Sequence, residues 1–288
     1  MSLEKYFNKN RVNVRGLAAE VPAKSELPFD PDIEITDHDW SQMKLSLVKR
    51  RENKNWREYA GQAVSMKMLF PERAPELDLD EEVWEGIKNE MEERRDEKDW
   101  WDFSGWAMWL KVLFPEKNAE INVDSDAWEG MRQELEKRRR KDPYGGNEKW
   151  GFFSGIASRM KIICPEKVDD LNLDETAWKG IKYEMECLRL RNDFEAPLFL
   201  SETFKMKILF PEKMLSYKLN SLGWRILKEK LDKDRQKRQW DYFSQDAMEL
   251  KVLAAKKVQV TEKGMEMTMP SREKSFRQDS MLPKKRKF

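Results

Sequence analysis

The chain has 288 residues, 39% of them hydrophobic and 38% charged, with a formal net charge of +1. That length can bury a sizeable core, while a charged share well above the usual level of about 25% suits a molecule with much surface. Residues 1–260 carry 47 basic and 50 acidic side chains, a balance of −3, and residues 261–288 carry 8 and 4, a balance of +4; a near-neutral body argues against a phosphate-binding groove dominating the surface.

Residues 1–32 show no helical stripe and include Pro22, Pro28 and Pro31, which predicts an extended lead-in. From about residue 33 one unit recurs. A tryptophan anchors its first half at Trp40, Trp84, Trp128, Trp178 and Trp224, with gaps of 44, 44, 50 and 46 residues. A second aromatic follows at Trp56, Trp100, Trp150, Phe194 and Trp240, the third after the inserted turn Asp142-Pro143-Tyr144-Gly145-Gly146-Asn147. Next comes Leu-Phe-Pro-Glu or a near copy, giving Phe70-Pro71, Phe114-Pro115, Cys164-Pro165 and Phe210-Pro211, and Ala254-Ala255 in the last unit. A fixed period of this size marks a solenoid or a propeller.

The period within each unit decides between them. Apolar residues stand three places after the first tryptophan (Met43, Ile87, Met131, Ile181, Leu227) and seven places after it (Leu47, Met91, Leu135, Met185, Leu231). That spacing makes one face of a helix. After the second anchor an aromatic, an alanine and then Met or Leu follow at helical spacing, and a further apolar stripe runs through Val64, Met108, Phe204, Met248, Met68, Val112 and Ile162. Apolar residues on two sides predict that the second helix of each pair is the inner one. Thr36, Asp80, Asp124, Asp174 and Ser221 are placed to cap the first helices, and Pro71, Pro115, Pro165 and Pro211 to end the second. The expectation is an all-α fold, an α-solenoid of five two-helix repeats of about 44–50 residues, with units at 33–76, 77–120, 121–170, 171–216 and 217–258. This plan resembles that of HEAT- and tetratricopeptide-type solenoids over residues 33–258, in architecture only. Residues 259–288 predict a disordered basic tail.

Charged and small residues recur as well. Arginine falls at 51, 95, 139, 189 and 235, lysine at 67, 111, 161, 207 and 251, and glutamate after the proline at 72, 116, 166 and 212. The matching glutamates favour ion pairs within and between units over a basic ladder for nucleic acid. Gly61, Gly105 and Gly155 sit in second helices, and Gly86, Gly130 and Gly180 in first helices. Each costs about 1 kcal/mol against alanine, which predicts close packing there. Their replacement at both ends of the array predicts capping units.

The sharpest local departure lies in the second unit. Trp101, Trp106 and Trp109 stand where the first unit has Arg57, Gln62 and Ser65. Tryptophan is enriched at binding hot spots, so these three are the candidate partner-binding residues; the competing reading packs them against residues 1–32. Chemistry is otherwise sparse. His38 is the single histidine, and it sits between Asp37 and Asp39. Cys164 replaces a phenylalanine and predicts a buried thiol, and Cys187 has no evident partner. With no catalytic set, metal-ligand spacing or phosphate loop, no enzyme, metal or cofactor is expected. No apolar run approaches the roughly 20 residues that span a bilayer, and Met1-Ser2-Leu3-Glu4-Lys5 lacks a signal-peptide core, which predicts a cytoplasmic protein. The terminal Lys284-Lys285-Arg286-Lys287 offers an alternative nucleic-acid contact or a nuclear-import signal. The composite expectation is a non-enzymatic scaffold for a protein or peptide partner, with RNA binding through the recurrent Arg and Lys as the alternative.

Overall fold

The computed structural model describes residues 35–139, 149–190, 196–215, 217, 221–255, 257–261 and 264–268. Contacts divide the chain into Met1–Asp32 and Ile33–Phe288, and all the described residues belong to the second unit. The lead-in, the turn at 142–147 and residues 269–288 lie outside them.

Five helical hairpins form as their periodicity predicts. They are α1 (Asp37–Glu52) with α2 (Trp56–Leu69), α3 (Glu81–Asp96) with α4 (Trp100–Leu113), α5 (Ser125–Arg138) with α6 (Lys149–Ile163), α7 (Glu175–Leu190) with α8 (Ala196–Leu209), and α9 (Ser221–Gln236) with α10 (Trp240–Ala254). Odd-numbered helices bury one stripe, with Met43, Ile87, Met131, Ile181 and Leu227 fully covered. Burying a side chain of that size contributes about 1.5–3 kcal/mol. Side-chain oxygens of Thr36, Asp80, Asp124 and Asp174 cap α1, α3, α5 and α7, whereas α9 already starts at Ser221. Where an aromatic precedes the proline, the first tryptophan packs edge-on against it, in Trp40–Phe70, Trp84–Phe114 and Trp178–Phe210. The proline then opens a short turn that lays Arg73, Lys117, Lys167 and Lys213 over Trp40, Trp84, Trp128 and Trp178, at 4.6, 4.8, 4.9 and 5.2 Å from a ring centroid.

The array does not stay open. Inner helices pack in the order α2–α4–α6–α8–α10, and α10 packs back on α2 and α1. The lysine ladder shows how the circle closes. Lys67 donates to the Leu113 carbonyl at 2.7 Å, Lys111 to Ile163 at 2.6 Å, Lys161 to Leu209 at 3.3 Å and Lys207 to Leu253 at 2.7 Å. Lys251, from the fifth unit, donates to Leu69 in the first. Each ammonium satisfies a carbonyl at the end of the next helix and complements the negative end of its dipole. The lysines therefore serve backbone carbonyls rather than the glutamates that follow the prolines. Arginines make a parallel outer circle. Arg51 reaches Asp78, Asp80 and Glu82, Arg95 reaches Asp124, Arg139 reaches Asp174, and Arg235 returns to Asp39 at 3.1 Å. Arg50 spans the same junction to Asp241 at 3.2 Å. The terminal units are thus neighbours, and the expected exposed caps are absent because each end covers the other.

Two strands follow α10, where the sequence predicts a disordered tail from residue 259. β1 (Lys257–Thr261) pairs antiparallel with β2 (Gly264–Thr268), joining Val258 to Met267 and Val260 to Met265. β1 packs on α6, α8 and the turn Pro211–Met214, and β2 on α4. The hairpin therefore crosses the ring at the C-terminal ends of the inner helices.

Candidate functional site: the axial cavity

The inner helices surround a cavity of about 270 Å³, close to the lower end of the roughly 300–1,000 Å³ typical of ligand sites. All five contribute to its wall. At the level of Met68, Val112 and Ile162, near the closing prolines, the lining is apolar, and Met68 and Ile162 are buried. Towards the helix N-termini it reaches Trp101 and the exposed Gln245. The cavity thus opens away from the hairpin.

Small residues make room for it. Trp109 lies over Gly61, Arg159 over Gly105 and Trp101 over Gly155, each pair on adjoining inner helices. The glycines of the outer helices serve packing instead. Trp56, Trp100 and Trp150 lie flat on Gly86, Gly130 and Gly180 of the following unit, where a β-carbon would overlap the indole.

One level of the wall breaks the repeat. Six residues before each closing proline, or before Ala255 in the last unit, stand Ser65, Trp109, Arg159, Lys205 and Glu249. Equivalent places on equivalent helices hold a hydroxyl, an indole, two cations and an acid. Lys205 is neutralised by Glu202 at 2.6 Å, and Glu202 also accepts from Ser154 at 2.8 Å. Arg159 donates to the Trp101 carbonyl at 2.9 Å, with its guanidinium 4.5 Å from the Trp101 ring centroid. Burial lowers its pKa to about 10, so it stays charged at neutral pH. Among the described residues no carboxylate forms an ion pair with it; the nearby Asp102 pairs with Arg57 at 3.1 Å.

Glu249 is 3% exposed. Its Oε1 accepts from Gln245 at 3.1 Å, and its Oε2 has no partner. Burial pushes its pKa up to about 8, helped by Asp246 and Glu202 and opposed by Gln245 and Lys205. At neutral pH it is therefore mostly an undissociated acid with a proton to donate. Two of the three serines of the wall are engaged elsewhere, Ser65 with the Gly61 carbonyl and Ser158 with that of Gly155, both at 3.0 Å.

The three tryptophans separate. Trp106 is 3% exposed and packs edge-on against Trp109 at 4.9 Å, as part of the core. Trp101 and Trp109 are half-buried in the cavity wall, and Trp101 meets the exposed Phe152 at 5.2 Å. Lys284, Lys285, Arg286 and Lys287 lie outside the described residues. Sequence reading passed over Arg159 and Glu249, although their mismatch with Ser65, Trp109 and Lys205 at one repeat position was the signal. Cys164 is buried as expected, burial raises its pKa, and neither it nor Cys187 is in a disulfide. Among the described residues no three His, Cys, Asp or Glu side chains are gathered as metal ligands, and no helix is long and apolar enough to cross a membrane. The fold thus defines a closed ring of helical hairpins; comparison with protein-family models, curated proteins and solved structures gave no match.

Proposed function

We propose that this protein is a non-enzymatic binding module that receives its partner end-on, through the mouth of the axial cavity beside Trp101 and Gln245. The single observation that carries this reading is the wall level at which five equivalent positions hold five different side chains, among them Glu249 with a buried oxygen unmet. A ring held by one repeated set of contacts does not need such variety. A closed ring also lacks the long groove with which an open solenoid grips an extended chain. A protein or peptide partner would therefore present a side chain or a chain end.

The test is a fragment panel read by thermal shift against the full chain and a Ser65→Leu variant, which fills the cavity from α2. Hits should raise the melting temperature of the parent and not of the variant, with helical circular dichroism alike in both. Hits that persist in the filled variant, or a panel without hits, would overturn the reading. RNA binding is the second reading, and the lysine ladder weakens it because all five ammoniums are bonded inside the ring. It predicts RNA retention that falls steeply with salt, and no gel shift at low salt would remove it.

A further inference from the structure

The chemistry of the same cavity narrows what enters it, so this inference rests on the reading above. We propose that the moiety bound is a carboxylate on a compact apolar body, either a free small organic acid or the C-terminal residue of a partner chain. Two separate features point there. Arg159 brings a positive charge to the wall that, among the described residues, is in no ion pair, and stacking on Trp101 holds its guanidinium in place. A guanidinium presents donors in a planar fork that matches a carboxylate. Across the same level Glu249, 97% buried by its 3% exposure, leaves Oε2 unmet. An unmet polar atom inside a protein is costly unless a ligand or water serves it. In its undissociated form Glu249 donates to a carboxylate oxygen; ionised, it would repel one.

The remaining wall fixes the rest of the ligand. Met108, Phe204, Met248 and Val112 are apolar, and methionine adapts to irregular shapes. Lys205 adds no free cation because Glu202 holds it. The site therefore offers one net positive charge, one neutral donor and an apolar surround. An amine would face Arg159 without compensation, and a dianion would exceed the single free charge.

The experiment is calorimetric titration of the full chain at pH 7 with 3-phenylpropanoate, 3-phenylpropan-1-ol and 3-phenylpropylamine. Short peptides ending in Phe, with free and amidated C-termini, form a second arm. The acid should bind at least tenfold more tightly than the alcohol, and the amine should not bind. Arg159→Met should bring acid and alcohol to within about threefold while keeping the helical signal, and Arg159→Lys should restore part of the preference. If Arg159→Met does not fold, Glu249→Gln, which retains a donor, should still prefer the acid. Tighter binding of the free-ended peptide than of 3-phenylpropanoate would assign the ligand to a partner chain, and the reverse to a small metabolite. Equal affinity for acid and alcohol, lost in Ser65→Leu, would overturn the carboxylate assignment and leave the cavity reading standing. No binding by any probe would overturn both.

Discussion

A methyl group added at Gly130 would overlap the Trp100 indole, whereas one added at Gly61 meets only Trp109 Cζ2 at 3.8 Å. Both residues are helical, so alanine favours the helix by up to about 1 kcal/mol at either site. At Gly130 the overlap outweighs that gain, since forcing a methyl into a packed contact costs about 1–3 kcal/mol. Gly130→Ala should therefore lower the urea midpoint and Gly61→Ala should raise it; equal and like shifts would contradict the indole-on-glycine packing. Glu249 supplies a pH prediction. Its folded-state pKa of about 8 lies above its ordinary 4.5. The folded chain keeps a proton that the unfolded chain loses as the pH passes 4.5. The stability from this group is thus full below that value and is lost as the pH rises through 8. Glu249→Gln has no such dependence. Its advantage over the parent should grow from pH 5 to pH 8, on the order of a few kcal/mol, in parallel denaturant titrations. A constant difference would place Glu249 in water.

The helical pairs carry their own signals, and most were legible because they are local. Caps, prolines and apolar stripes act within a few residues of chain, so Asp80, Asp124 and Asp174 could be read as caps before any contact was known. Asp124 both caps Ala127 and pairs with Arg95. Asp124→Ala should cost about 1–2 kcal/mol, measurable as a lower melting temperature. The turns between paired helices held less obvious information. Lys54, Lys98 and Arg238 adopt left-handed backbone at φ of 52°, 55° and 57°, a conformation that glycine accepts more readily. Lys98→Gly should leave α3 and α4 intact and raise stability by several tenths of a kcal/mol; a clear loss would show that the lysine has another role. The hairpin at 257–268 was not legible. Its strands are five residues each, too short to be stable alone, and the ring end on which they pack is assembled from distant parts of the chain. The residue after Pro-Glu was also missed. Arg73, Lys117, Lys167 and Lys213 recur there as cations, but their use over tryptophan depends on the proline turn that aims them.

Closure is a property of the whole ring and depends on residues at opposite ends of the repeats. Its traces in the sequence were Lys251 and Arg235. A last unit of an open array has no following helix to receive them, yet both are kept, and they meet Leu69 and Asp39. The same logic explains why the axial site escaped notice, since a cavity wall drawn from five helices exists only once the ends meet. A ring has no fraying terminal repeat, whereas open arrays are sums of units and neighbouring interfaces. Amide hydrogens of α2 and α10 should accordingly exchange as slowly as those of α6; faster exchange confined to the two end units would indicate an open array. The most direct test is a spin-label distance between Glu58 on α2 and Tyr242 on α10, both exposed at the N-terminal ends of their helices. Packed helix axes lie about 8–10 Å apart. Closure predicts one short distance, equal to that between labels on Asp102 and Phe152 of the adjacent α4 and α6; a longer or broad distribution at Glu58–Tyr242 alone would contradict it.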